Sequence, residues 1–240
     1  MSGHSKWHNI QARKGKQDAK RAGAFTKLAR GITVAAREGG GDPAMNFKLR
    51  IAVDKARAAS MPKDNIDRAI AKGTGSGAGV TLSAVSYEAK GPGNIDIIVD
   101  CLTDNKNRTA PEIKHIFSKN CGVLGAPGSV SWNFEQRGFI ESKIKNQESK
   151  EDEMLNIMDI VGVSDVEDED RSFLIYTDPK ELSNVGKELE SKGFKIEKME
   201  LIMDPKNTVT LNDEDMEKAM RLLDVIDEYD DVENVWTNLG

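Results

Sequence analysis

The stretch VSYEAKGPGNIDIIVDC, residues 85–101, is the point at which the hydrophobic pattern of this chain changes. Apolar and polar residues alternate before the GPGN turn and again after it, which predicts a β-hairpin. Upstream, apolar residues recur every three or four positions, which is typical of helices. The chain therefore predicts an α+β fold in which helices precede the first sheet.

Upstream of the hairpin, residues 24–72 are predicted to form three short helices. The first ends at the glycines 39–41. Asp42 and Pro43 are predicted to cap and begin the second, with Met45 on its buried stripe. The third follows Pro62 and ends at Gly73. We predict a basic mobile tail over 1–23 and a helical domain over 24–78, with the linker-like GTGSGAG (73–79) at its end.

Downstream, the order of elements predicts two further domains. A capping box, T-A-P-E, predicts a helix from Thr109, and Val130, Trp132 and Phe134 are predicted to form a strand. Residues 137–204 read as β-α-β-β-α-β, the ferredoxin-like order, with the acidic run 167–170 as a solvated turn. Residues 205–240 are too few to fold alone, so we expect them to return to the first sheet.

The predicted fold class is thus α+β with three domains. An N-terminal helical bundle is followed by two α/β sandwich-like domains. The first of these comprises 79–136 with 205–240, and the ferredoxin-like (βαββαβ) domain at 137–204 is inserted into it.

Charge is divided unevenly along the chain. The net charge is -6, from 34 Lys and Arg against 40 Asp and Glu. Through residue 78 there are 16 bases and 6 acids, a net of +10, which leaves 18 bases and 34 acids, a net of -16, for the remainder. Such a split indicates a module that faces a polyanion, joined to an acidic one.

The sequence does not predict catalytic chemistry or a cofactor. His4 and His8 have the i, i+4 spacing of a metal pair, but no Cys, Asp or Glu follows until Asp18, so no metal site is predicted. Residues 73–79 do not satisfy G-x-G-x-x-G, and we expect no small-molecule substrate. No apolar run reaches about 18 residues, so we expect no membrane partner. Two cysteines are typical of reduced thiols, and we expect a cytoplasmic location.

The first 27 residues are the main candidate for binding nucleic acid. If residues 13–27 are helical, their cations fall on one half of the helix. Trp7, with the two neighbouring histidines, offers planar faces that can stack on unpaired bases between phosphate contacts. The alternative is that Trp7 packs back on the helical domain and that the charges form a solvated face.

Two further basic groups are candidates of lower rank. Lys106 and Arg108 flank a predicted helix N-terminus, where backbone N–H groups and charge could meet a phosphate; equally, the nearby asparagines could simply shape a loop. A second set on the helices mixes with acids, so part of it is ordinary surface. That set comprises Lys48, Arg50, Lys55, Arg57, Lys63, Arg68 and Lys72. The residues that we predict to bind nucleic acid are His4, Lys6, Trp7, His8, Arg13, Lys14, Lys16, Lys20, Arg21, Lys27, Lys106 and Arg108.

Five motifs give the chain a family resemblance. They are GHSKW-x-N-I (3–10), DP-x-x-N-x-x-L-R (42–50), MPKDNI-x-RAI (61–70), TDN-x-NRTA (103–110) and GSVSW (128–132). In this order they resemble the YebC/PmpR family, whose mitochondrial relatives are translational activators of cytochrome oxidase. Ala89-Lys90 and Ser60 depart from the family's usual residues. Because the first motif begins at residue 3, leaving no room for a transit peptide, we expect a bacterial member.

The resemblance implies a helical domain followed by two α/β domains, and no enzymatic activity. Bacterial members are described as DNA-binding transcriptional regulators. Others look like ribosome-associated translation factors that help the peptidyl transferase centre through difficult sequences. We therefore predict a non-enzymatic nucleic-acid-binding regulator of gene expression. The alternatives are a factor that binds the ribosome or its RNA, and a protein-interaction scaffold whose acidic part docks a basic partner.

Overall fold

The structure of the chain is a computed structural model that describes residues 21–75, 82–143, 149–169 and 172–240. The predicted tail, except for residues 21–23, and the linker residues 76–79 lie outside these ranges. The described chain forms two compact units, one comprising the residues up to Glu135 together with Asp204–Gly240, and the other Gln136–Met203.

The first unit begins with three helices that share one small core. They are α1 (Arg21–Gly39), α2 (Phe47–Ala58) and α3 (Lys63–Gly73). Their apolar stripes face one another, as the 3.6-residue period predicts. The buried residues of this core are Ile32, Ala35, Ala36, Leu49, Val53, Ala56, Met61, Ile66 and Ala69.

The start of α2 differs from the prediction. Asn46, not Asp42, is the N-cap, and its Oδ1 accepts the N–H of Leu49 at 3.1 Å. The amide of Asn46 also donates to the carbonyl of Ala35 at 2.7 Å, which ties the cap to the end of α1. Asp42 instead caps a turn, and Met45 is 85% exposed because it precedes the helix.

The predicted hairpin forms the centre of the first sheet. The elements after the helices are β1 (Ser83–Lys90), β2 (Asp96–Thr103), α4 (Lys106–Lys119) and β3 (Val123–Leu124). The last two elements of the chain return to them, which confirms the expected return of the C-terminal segment. The antiparallel sheet has the order β3-β1-β2-β8, in which β8 is Val232–Thr237.

One face of this sheet packs against α4 and α7 (Asp213–Glu228). Alternate residues of the hairpin point into that core, as their period of two requires. Val209 adds an isolated parallel bridge to Leu239. The buried core residues are Ala89, Ile95, Ile97, Val99, Cys101, Ile113, Phe117, Ala219, Leu222, Leu223, Ile226, Val232, Val235 and Leu239.

Two predicted boundaries in the first unit are wrong. Helix α4 begins at Lys106, capped by Asn105, and not at Thr109. The Thr109 hydroxyl is engaged elsewhere, with the side chains of Thr103 and Asp231. The strand predicted from Val130 is a 3₁₀ turn at Ser131–Asn133, and the strand β4 begins only at Phe134.

The second unit has the ferredoxin-like order. Its elements are β4 (Phe134–Lys143), α5 (Lys150–Met158), β5 (Val163–Glu169), β6 (Ser172–Thr177), α6 (Leu182–Ser191) and β7 (Lys195–Pro205). The sheet order β5-β6-β4-β7 and the helices confirm the fold class. The acidic residues 167–169 continue β5 and pair with β6, so they are not a turn; residue 170 lies outside the description.

Candidate nucleic-acid interface

Most of the predicted binding residues lie outside the described part of the chain. They are His4, Lys6, Trp7, His8, Arg13, Lys14, Lys16 and Lys20. Arg21 is the first residue of α1, and its side chain is not among those described. Lys27, Lys106 and Arg108 can be located, and the binding of phosphate by any of the twelve stays a prediction.

Lys27 lies on α1 where this helix passes the C-terminal end of α7. Its ammonium donates a hydrogen bond to the carbonyl of Asp227. Burial lowers the pKa of Lys27, while the carboxylates of Asp227, Glu233 and Asp230 oppose that shift. A cation at the C-terminal carbonyls of a helix is a favourable internal contact. The structure therefore places Lys27 in a contact between α1 and the C-terminal segment.

Asp231 is the centre of that contact. Its buried carboxylate accepts hydrogen bonds from the Arg30 guanidinium at 3.0 Å and from the Thr109 hydroxyl at 2.8 Å. Arg108 lies 3.3 Å away, and its guanidinium also pairs with Asp104 at 2.7 Å. Burial alone would raise the pKa of Asp231, but hydrogen bonds led by that from Thr109 lower it below its usual value. Arg108 and Thr109 of the TDN-x-NRTA motif thus both contact Asp231, whose carboxylate also binds Arg30 of α1.

The N-terminus of α4 is partly satisfied by its own cap. Asn105 Oδ1 accepts the N–H groups of Asn107 at 3.1 Å and of Arg108 at 3.3 Å. These are among the N–H groups that a phosphate at a helix N-terminus would use. Lys106 is the first residue of α4, and its side chain is exposed.

A second carboxylate, Glu233, is half-buried beside the same contact. A side chain added at Gly31 of α1 would begin 3.5 Å from its Oε2, and its buried Oε1 has no hydrogen-bond partner among the described residues. Burial raises the pKa of Glu233 to about 7, and Lys55, Lys27 and Arg30 restrain that rise. Basic residues of the helices are therefore partly neutralised by acids of the C-terminal segment.

Other cations of the helices have no acidic partner. Within the described residues, Arg37, Lys63 and Lys72 make no ion pair, and all three are exposed. Among the described residues, Arg68 bonds only to the Asn65 side chain and the Asp64 carbonyl. In contrast, Lys48 pairs with Glu38 at 2.8 Å, and Arg57 lies 3.4 Å from Asp54. We call Arg37, Lys63, Arg68 and Lys72 the unmatched cations.

Two of the unmatched cations border a groove between α1 and α3. These helices cross closely, because a Cβ at Gly73 would lie 2.4 Å from the carbonyl oxygen of Thr33. Beside this crossing a cavity of about 570 Å³ is open to solvent. Its lining residues are Phe25, Thr26, Ala29, Arg30, Thr33, Met61, Asn65, Arg68, Ala69, Lys72 and Leu82. The apolar residues of this groove can contact a base, while the cations at its edge contact a phosphate of the same nucleotide.

Two kinds of feature are absent from the described ranges. No cluster of His, Cys, Asp or Glu residues there is suited to hold a metal ion. Of the helices described, none combines the length and the apolar character that a bilayer crossing needs.

The sequence reasoning missed Asp231 and Glu233. Both belong to YDDVEN (229–234), which has the composition of ordinary acidic surface. The available signal was the charge split itself. A segment of net charge +10 that shares a compact unit with an acidic remainder is expected to use some of its cations in internal pairs.

Comparisons with known proteins cover nearly the whole chain. Residues 5–76 match the family model described as the TACO1/YebC protein N-terminal domain, and residues 82–239 match the TACO1/YebC second and third domain. A protein of Thermoanaerobacter pseudethanolicus, described as a probable transcriptional regulatory protein, is 49% identical over 100% of this chain and 97% of its own length. A protein of Nitrosococcus oceani with the same description is 48% identical over 99% and 95%.

A solved structure is also similar. It is the crystal structure of a conserved hypothetical protein from Aquifex aeolicus, 40% identical in sequence. The match has a TM-score of 0.83 and covers 93% of this chain and 91% of that one.

Proposed function

Since this chain belongs to the TACO1/YebC family, we propose that it is a non-enzymatic regulator of gene expression that acts by binding nucleic acid. Its relatives carry the description of probable transcriptional regulatory proteins, which supports a regulatory role. In this proposal the target is DNA, and the protein acts in the cytoplasm without a cofactor.

The unmatched cations are the observation that carries the proposal. Elsewhere in the first unit, several lysines and arginines meet a carboxylate, as Lys48, Arg57 and Arg30 do. The unmatched cations keep their charge exposed on a protein whose net charge is negative. Nucleic-acid phosphates are the natural counterpart of such charge, because each contact releases condensed counterions.

The N-terminal tail supports the same proposal. Its cations continue the basic character of the helices, and Trp7 supplies a ring that can stack on a base. We propose that the tail and the unmatched cations bind one nucleic acid together. Deletion of residues 1–20 should then weaken binding strongly, whereas the remainder of the protein should stay folded by circular dichroism.

The decisive experiment measures binding against salt concentration. In one variant, Arg37, Lys63 and Lys72 are replaced by Gln. In a matched control, Lys48, Arg57 and Lys218 are replaced by Gln, which makes the same change in net charge at cations that are already paired. The slope of log K against log salt should fall by about 0.7–0.9 for each lost phosphate contact in the first variant and change little in the control.

Equal losses in the two variants would mean that only net charge matters, and would refute the proposed surface. No binding by the unmodified protein at low salt would refute the function itself and favour the scaffold alternative.

The kind of nucleic acid is tested with three matched probes. Duplex DNA, single-stranded DNA and single-stranded RNA of one sequence are compared at fixed salt. Preference for the duplex supports transcriptional regulation. Preference for RNA, together with co-sedimentation of the protein with ribosomes, favours the translation-factor alternative, and DNA as the target would then be wrong.

A further inference from the structure

Trp132 is an exposed tryptophan on an ordered loop. Its side chain is 62% exposed, whereas Trp236 in β8 is only 7% exposed. Tryptophan usually buries most of its large surface, so an exposed indole indicates a contact surface. Within residues 125–133, Trp132 is the one large hydrophobic residue that is exposed. From the sequence, Trp132 is predicted to lie in a strand and has no assigned function.

The loop is held in place by a carboxylate from β1. Glu88 accepts the backbone N–H groups of Gly128 at 2.7 Å, Val130 at 2.7 Å and Ser131 at 2.9 Å. Burial alone would raise the pKa of Glu88, but these hydrogen bonds lower it, so the carboxylate stays ionised. Charge-assisted bonds of this kind are stronger than neutral ones. The backbone that carries Trp132 is therefore fixed before any partner arrives.

The indole N–H of Trp132 is hydrogen-bonded within the loop. Trp132 Nε1 donates to the carbonyl of Ser129 at 3.0 Å. The carbonyl of Trp132 accepts a hydrogen bond from the Lys206 ammonium at 3.1 Å. What the residue offers to a partner is consequently the face of its ring, with a cation close to its backbone.

We propose that Trp132 is a stacking platform for an unpaired nucleobase, with Lys206 placed to approach the adjoining phosphate. This inference rests on the proposed function, since it assumes that the protein binds nucleic acid. The face of the indole ring is exposed, but its N–H is already hydrogen-bonded. The ring is therefore suited to stack on a base of any kind, and not to recognise a particular base through hydrogen bonds. A fixed loop lowers the entropy lost when the contact forms. Within residues 125–133 a single exposed ring beside glycine and serine is too small an apolar area for a stable protein interface.

The test compares Trp132→Ala with Trp132→Phe on a single-stranded homopolymer and on a duplex of the same length. The Ala variant should bind the single strand about 5- to 150-fold more weakly, with an unchanged salt slope, and the duplex less than twofold more weakly. The Phe variant should recover most of the loss, because it restores a ring. Val123→Ala removes a side chain that is 69% exposed on β3 and serves as the matched control.

Fluorescence supplies a second readout. In a Trp7→Phe, Trp236→Phe variant, Trp132 is the one remaining indole. Its emission should be quenched when the single strand is added, and the quenching should weaken in a further Glu88→Gln variant that loosens the loop.

The outcomes separate the inference from the function on which it rests. If the unmodified protein binds no nucleic acid, the proposed function fails and the inference falls with it. If the unmodified protein binds but Trp132→Ala binds the single strand equally well, only the stacking role is refuted. Equal weakening on both probes, or absence of quenching, also overturns it, and a protein partner for Trp132 would then be favoured.

Discussion

Glu233 permits a quantitative test of the contact between α1 and the C-terminal segment. The change is Glu233→Gln, which keeps the shape of the protonated side chain and removes its charge. Burial raises the pKa of Glu233 to about 7 from an ordinary value of 4.5. Because the folded-state pKa is the higher one, its contribution to stability is fully present below about pH 4.5 and is lost as the pH rises through 7.

The difference of about 2.5 pKa units corresponds to roughly 3 kcal/mol at pH 8. At pH 5 only a small part of it, about 1 kcal/mol or less, has been lost. Glu233→Gln does not ionise, so it escapes this loss. The variant should therefore exceed the unmodified protein in free energy of unfolding by about 3 kcal/mol at pH 8 and by less than about 1 kcal/mol at pH 5.

Urea unfolding at pH 5, 6, 7 and 8 measures this difference, with tryptophan fluorescence as the signal because Trp236 lies near Glu233 in β8. The control is Glu112→Gln on α4, an exposed glutamate, which should change stability by no more than about 0.5 kcal/mol at any of these pH values. A difference that is the same at pH 5 and pH 8 would refute the burial of a titrating carboxylate at this position.

Three further predictions follow from the packing of the first unit and from the fold. Asp231→Asn should lower the free energy of unfolding by roughly 2–4 kcal/mol, since it removes a buried anion from Arg30; urea unfolding measures this loss, and the exposed Asp230→Asn should lose far less. Gly73→Ala should cost about 1–3 kcal/mol, because its Cβ would lie 2.4 Å from a backbone oxygen of α1; the melting temperature checks this, and an unchanged value would contradict the close crossing. Replacing 137–204 by a short Gly/Ser bridge should leave a folded protein by circular dichroism; an unfolded product would show that this segment is not an independent insertion.

Local pattern was sufficient to predict most elements of the fold. The hairpin at 85–101 and the β-α-β-β-α-β order depend on apolar periodicity and turn residues, which act over a few positions. The starts of α2 and α4 were less predictable, because two candidate caps compete at each of them. Asn46 prevails over Asp42 through a bond to Ala35, a contact that no local motif contains.

The candidate site was harder to predict, because its contacts join distant parts of the chain. Lys27 and its partner Asp227 are 200 positions apart, and Arg108 and Asp231 are 123 apart. The charge pattern of the sequence identifies such cations but does not show which of them already pair with an acid. Trp132 was predicted to lie in a strand because apolar residues alternate with polar ones around it. The Glu88 carboxylate, 43 positions before Ser131, accepts the backbone N–H of Ser131 and shapes a turn there instead.

The position of β8 beside β2 has a consequence for synthesis of the protein. A ribosome makes β2 well before β8, which emerges only after the whole of 136–203. Until then β2 is an edge strand whose apolar residues and unpaired backbone groups can join another chain. The acids that hold α1 are also made after that segment. Truncated products that end before residue 232 should therefore aggregate, and folding of the first unit is completed only after β8 has emerged.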